Sequence, residues 1–211
     1  MNSLPIVFVL AAAIIAIGVR LFFLYKPQKS PRTNNIYTEA LNAMVRADKT
    51  KAVSLLRDVV KIDSDHVDAY LQLGNILRDS NPQQAVKIHQ TLTVRSNLSI
   101  EIQEDIHQAL ALDYKTLNNL VRARKEAEQI LRLNKHSQWA VEFLLSLSVQ
   151  EKNWDQAADR TRQLQKLTGN KNPNELIIYT VYKGLEKMKQ EKKNEAKSFF
   201  EKAIKQAPEL G

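Results

Sequence analysis

Five alanines constrain this chain more than any other feature of its sequence. Ala52, Ala85, Ala123, Ala157 and Ala196 each follow a short polar turn and open a stretch of helical apolar spacing, at intervals of 33, 38, 34 and 39 residues. Recurrence near ~34 residues marks a stack of similar units, because one such unit cannot bury its apolar side alone and must lean on its neighbours. A small residue at the same place in every unit means that two helices cross there too closely for a larger side chain. The surrounding residues agree with helices. Only five glycines and six prolines interrupt the 211 residues, and Ala, Leu, Lys, Glu and Gln, which favour helix over strand, dominate the rest. With 44% apolar residues the chain can form a core, so an all-α fold is expected.

The second unit carries the pattern most fully, with Tyr70, Leu73 and Gly74 on its first helix and Ala85 and Leu92 on its second. The fifth repeats it with Gly184, Ala196, Phe200 and Ala203, and Pro208 falls where the chain must leave the second helix. Trp154, just ahead of Ala157, takes a turn position that suits a bulky packing aromatic. The pattern resembles the tetratricopeptide repeat, and residues 34–211 are expected to form an α-solenoid of about five helix pairs. The surplus residues of the two long intervals fall in SNLSIEIQED and TGNKNPNEL. In the latter, Asn172 can cap a helix with Pro173 at its first position and Glu175 three residues on, whereas Ser99 has the apolar Ile102 at the matching place and defines its helix start less well.

Ahead of the repeats lies an apolar run. From Leu4 to Val19 it carries no charge, and it continues past Arg20 to Tyr25, about 22 residues in all, enough to cross a bilayer as a helix. Arg20 sits near one end, where its stem can snorkel, and its cost of about 2.5–3.5 kcal/mol is offset by the surrounding Ile, Leu, Val and Phe. Met-Asn-Ser supplies no positive start and Phe-Phe-Leu-Tyr-Lys no cleavage site, so residues 1–26 read as a retained single-pass transmembrane anchor. Arg20, Lys26 and Lys29 flank the span on its C-terminal side only, which places the repeats in the cytoplasm. Residues 27–33, with Pro27 and Pro31, read as a basic linker.

Nothing in the sequence points to catalysis. The chain has no cysteine, which excludes disulfides, cysteine nucleophiles and thiolate metal sites. His66, His89, His107 and His136 fall in separate repeats and gain no third ligand nearby, so neither metal nor cofactor is expected. The glycines never cluster into a phosphate loop, and Asp155 and Asp159 lie one helical turn apart on a solvated face. The net charge of +8 draws on a lysine-rich stretch from Lys183 to Lys205, but Glu186, Glu191, Glu195 and Glu201 interleave it at helical distances. Without interleaved aromatics for base stacking it is not a nucleic-acid site; the pattern reads as a soluble helix surface, with an acidic partner or anionic lipid as the alternative.

What remains is a protein-binding surface. The first helices of stacked pairs line a concavity, and here they are expected to present Asn75, Arg78, Gln108, Lys115, Glu142 and Gln150, polar residues that the core does not require. At the far end, Ala196, Phe199, Phe200, Ala203, Ile204 and Ala207 make a wide apolar stripe, so either this surface serves self-association or the natural array is longer.

The segments LQLGNILRDSNPQQAVKIHQTL, residues 71–92, above all Leu73-Gly74-Asn75 and Ile88-His89-Gln90-Thr91-Leu92, resemble the lipopolysaccharide assembly protein B family of Gram-negative bacteria. Residues 41–63 and Leu112-Asp113-Tyr114 are similar to it as well. The resemblance implies an inner-membrane anchor, cytoplasmic repeats and a non-enzymatic adaptor that presents the committed deacetylase of lipid A synthesis to a membrane AAA protease. Family members carry further repeats and end in a rubredoxin-like knuckle of two Cys-x-x-Cys pairs. This chain, lacking cysteine, reads as a short form or a truncated one. The competing expectation from the same groove is a scaffold that holds another inner-membrane complex together.

Overall fold

The computed structural model describes residues 14–18, 20 and 31–207. Most of the expected membrane span, together with Lys26 and Lys29, lies outside the described residues. Among the described residues no helix is long and apolar enough to cross a membrane. Residues 14–18 and 20 are helical, with Ile14, Ile15 and Ile17 exposed. From Pro31 onward the secondary structure is helix and turn, without a strand among the described residues. The chain divides into two compact units, Met1–Asp65 and His66–Gly211.

In the first unit α1 (Pro31–Val45) pairs with α2 (Lys49–Ile62). The helix begins three residues ahead of the expected array start at Asn34, since proline's fixed φ and missing N–H suit a first helical turn. Ala40 and Ala43 of α1 and Ala52, Leu56 and Val59 of α2 are buried, and Lys51 pairs with Glu39 at 2.8 Å on the surface.

The second unit holds four further pairs: α3 (Val67–Leu77) with α4 (Pro82–Thr93), α5 (Ile100–Thr116) with α6 (Leu120–Leu133), α7 (Gln138–Gln150) with α8 (Trp154–Thr168), and α9 (Asn174–Lys189) with α10 (Lys193–Gln206). Each helix packs on the next, and α3 also meets α5. Leu71, Leu92, Ile106, Leu110, Leu144 and Leu147 anchor one continuous core running from α3 to α7.

All five register alanines are 0% exposed. In four pairs the first helix answers with a small residue of its own: Ala40, Ala111 and Gly184 stand twelve residues before Ala52, Ala123 and Ala196, and Gly74 stands eleven before Ala85. The fourth pair departs from this, with the half-buried Leu145 twelve residues before Ala157. The two glycines show what the small residue makes room for. A Cβ on Gly74 would lie 2.3 Å from Nε2 of His89, and one on Gly184 would lie 2.5 Å from Cε1 of Phe200. His89 and Phe200 each come four residues after a register alanine, so the same position of the second helix presses its ring onto the same position of the first. In the fourth pair that position of the second helix holds Thr161, which has no ring to accommodate.

The turns between paired helices follow a second rule. Ala47, Asn118, Lys152 and Glu191, each five residues before a register alanine, have positive φ (59°, 55°, 56° and 62°). This left-handed residue reverses the chain, and the next one caps the second helix. Asp48, Asn119 and Asn153 each accept the backbone N–H three residues on, and Asn81 does so in the second pair, whose turn is one residue shorter. At the fifth pair the cap position holds Lys192, which makes no such bond.

The two irregular junctions depart from expectation. Ser99 does cap α5, its hydroxyl accepting from the Ile102 N–H at 3.4 Å. Asn172 does not complete its capping box. The cap of α9 is Pro173, in αR conformation with no side-chain bond, and Asn172 Oδ1 accepts from Asn174 N–H at 3.1 Å instead. The Glu175 carboxylate that would have closed the box accepts from Gln165 Nε2 at 2.9 Å.

Candidate protein-binding face

A polar clasp joins the second and third helix pairs. Asp113 on α5 is fully buried. Its Oδ2 lies 2.5 Å from Nδ1 of His89 on α4, and its Oδ1 accepts from Arg78 Nε at 2.7 Å. The other ring nitrogen, Nε2 of His89, lies 3.2 Å from the Leu71 carbonyl. Both imidazole nitrogens therefore face acceptors, and the ring is held from both sides. Arg78 closes the arrangement, its Nη2 donating to Asn75 Oδ1 at 2.6 Å and to the Ala109 carbonyl at 3.4 Å. Beside it, Gln90 Nε2 donates to the Tyr114 hydroxyl at 2.9 Å. Buried groups of this kind are costly unless every partner is present, and here each has one.

The clasp corrects the expectation that none of the six polar first-helix residues serves the core. Arg78, at the C-terminal end of α3, keeps 17% of its side chain exposed and is held by a fully buried carboxylate. Asn75, which accepts from it, is half-buried. The other four lie on α5 and α7. Lys115 lies with its Nζ 5.3 Å above the Phe143 ring and donates to Ser146 Oγ at 3.3 Å, linking the two helices. Trp139 stacks on Phe143 with ring centroids 4.9 Å apart. Glu142 is exposed and accepts from Gln138 Nε2 at 2.7 Å, Gln108 is half-buried and Gln150 is exposed. Sequence reasoning missed the carboxylate at the start of α5: Asp105 is held above the ordinary carboxylate range, first by partial burial and then by the charge of Asp68 on α3.

The histidines are put to local uses. His66 caps α3, its Nδ1 accepting from the Ala69 N–H at 3.3 Å, and His107 lies 2.7 Å from Glu126 across α5 and α6. Among the described residues no group of three His, Cys, Asp or Glu is placed to hold a metal ion. Asp159 pairs with Arg162 at 2.5 Å, one turn along its own helix, whereas Asp155 reaches across to Lys183 on α9. In the lysine-rich stretch, Glu195 is held below its usual range chiefly by a hydrogen bond from Lys187.

The C-terminal stripe does not face outward as a whole. Ala196 and Ala203 are buried and Phe199 and Phe200 half-buried, because α10 turns that side onto α9, and only Ile204 is strongly exposed. The exposed apolar residues lie instead on α9, where Ile178, Tyr182 and Leu185 follow helical spacing with Met188 nearby.

Comparison with known proteins agrees with this architecture. No protein-family model matches the chain. It is similar to lipopolysaccharide assembly protein B of Escherichia coli K12, 27% identical over 178 residues that make up 84% of this chain and 46% of that protein. The Haemophilus influenzae protein of the same name is 25% identical over 189 residues, 85% of this chain and 47% of its own length. The chain thus spans about half the length of the curated relatives it matches. Among solved structures it is similar in fold to MamA (TM-score 0.58, 19% identity, 83% of this chain and 92% of that one). It is also similar to YrrB, a tetratricopeptide-repeat protein with an unusual peptide-binding site (TM-score 0.55, 15% identity, 90% and 92%). The repeat fold is shared.

Proposed function

We propose that this tetratricopeptide-repeat relative of lipopolysaccharide assembly protein B is a membrane-tethered adaptor of lipopolysaccharide synthesis. It presents the lipid A pathway deacetylase to a membrane AAA protease and so controls how much of that enzyme persists. The observation that carries the reading is the alignment with lipopolysaccharide assembly protein B along 84% of the chain. That alignment is supported by the three segments from which the clasp is built, Leu73-Gly74-Asn75, His89-Gln90 and Asp113-Tyr114. Residues 1–26 act as the inner-membrane anchor and hold the repeats on the cytoplasmic side, a reading that rests on their apolar run and on Arg20, Lys26 and Lys29 behind it. The client binds along the first helices, where Gln108, Lys115, Glu142 and Gln150 supply polar contacts and Asn75 with Arg78 holds the floor of the groove rigid. No catalytic group is required, because confinement to the membrane raises the effective concentration of two membrane-bound proteins enough for weak contacts to suffice.

The test is the half-life of the deacetylase in cells carrying the full chain, a chain without residues 1–26, or the full chain with Lys115→Glu and Glu142→Lys. The deletion and the charge reversals should each lengthen the half-life while leaving the repeats helical. A deacetylase whose turnover ignores all three would refute the adaptor reading.

A further inference from the structure

We propose that the cleft between α8, α9 and α10 is a docking pocket for an acidic peptide segment of a partner protein, separate from the polar face of α3, α5 and α7 and independent of the reading above. The cleft encloses about 380 Å³, within the size range of specific binding pockets. Leu176, Ile177 and Tyr179 of α9 and Trp154 of α8 line its apolar part. The Trp154 ring is steadied by Tyr182 and Tyr179, at centroid distances of 4.8 and 6.4 Å. Rigid, partly buried aromatics of this kind anchor peptides at little entropic cost.

Charge sets the ligand class. Arg162, Lys183 and Lys202 also line the cleft, against a single lining acid, Asp155. Asp155 is taken up by Lys183, and Arg162 is met from outside the cleft by Asp159. Lys202 on α10 has no ion pair among the described residues, so the lining carries a surplus of positive charge that an acidic ligand would neutralise. A peptide with acidic and apolar side chains close together supplies both needs at once. A bilayer surface is flat and cannot enter a concavity walled by three helices, and a nucleic acid would need a longer cationic track and bases stacked in the open.

The experiment uses the full-length chain in detergent micelles and a fluorescein-labelled peptide of alternating glutamate and leucine. The protein has two tryptophans, and Trp139→Phe keeps an aromatic ring beside Phe143 while leaving Trp154 as the sole tryptophan, excited selectively over the tyrosines. Saturable binding with a change in Trp154 emission is expected, and Arg162→Glu or Lys202→Glu should each weaken it about tenfold. Lys61→Glu on α2 should leave it unchanged. Both Arg162 and Lys202 are exposed, so the variants keep their helicity, which circular dichroism checks. Absence of saturable binding, equal affinity of the Lys202→Glu variant, or displacement of the peptide by micelles doped with phosphatidylglycerol would each overturn the assignment, the last by giving the cleft to a lipid headgroup.

Discussion

Gly74→Ala is the most incisive perturbation of the repeat stack, because opposing effects of known size meet at one atom. Alanine improves on glycine in a helix interior by about 1 kcal/mol. Here the new Cβ would sit 2.3 Å from Nε2, 2.6 Å from Cε1 and 2.8 Å from Cδ2 of His89, so the imidazole must move. It has little freedom to do so, being tied to Asp113 at 2.5 Å and to the Leu71 carbonyl at 3.2 Å. Overpacking costs about 1–3 kcal/mol and loss of a hydrogen bond to a charged group about 1.5–3, so the net destabilisation is about 1.5–5 kcal/mol. At about 2–4 °C per kcal/mol for a chain of this size, the melting temperature falls by roughly 3–20 °C. Urea unfolding followed by circular dichroism reads the effect, and a double-mutant cycle with His89→Ala isolates its cause. With the ring gone the Cβ has room, and Gly74→Ala should become neutral or slightly stabilising in that background. If its cost is the same within about 0.5 kcal/mol with and without His89, the close approach of the imidazole is not what demands glycine.

Three further outcomes follow from the turn rule and from Asp105. Lys192→Asp gives α10 the side-chain cap that the second helices of the other four pairs possess, and should raise stability by about 0.5–1 kcal/mol in the same unfolding assay. Lys152→Gly, at φ 56°, should be neutral or stabilising by up to about 1 kcal/mol, whereas Lys152→Val at that position should destabilise. The folded-state pKa of Asp105 lies above its unfolded value, so its charge opposes folding at neutral pH and ceases to do so as pH falls below the ordinary carboxylate range. Asp105→Asn should accordingly raise the melting temperature at neutral pH, with a gain that shrinks on acidification; a gain that grows on acidification would reverse the sign of that reasoning.

The repeat register was legible because its cause is local and steric. An alanine that must be small stays small in every unit, and all five are buried without exception. Gly74 and Gly184 were legible for the same reason. Arg78 was misread as a spare groove cation because its partner, Asp113, lies 35 residues away in sequence, and nothing in helical spacing tells one polar first-helix residue from another. The segments that suggested a family held that information in another form: Gly74 and His89 come from residues 71–92 and Asp113 from Leu112-Asp113-Tyr114, and the three meet at a single point. The capping box at Asn172 failed because Gln165, from the preceding helix, competes for Glu175. The cleft walled by α8, α9 and α10 was not legible as a cavity, since Lys183 and Lys202 read as part of a mostly solvated lysine-rich surface and Arg162 and Trp154 join them only when the helices are packed.

The clasp also bears on how repeats of nearly equal size find their proper neighbours. An apolar seam tolerates substitution of one unit for another, since Leu and Ile pack acceptably against many surfaces. Arg78, His89 and Asp113 do not. A third pair displaced by another unit, whether from this chain or from a second copy, would leave a guanidinium and an imidazole stranded in a desolvated seam without their shared carboxylate. Such an arrangement is penalised far more than a merely loose one, so the order of the second and third pairs is written into the chain as a lock that only one partner opens.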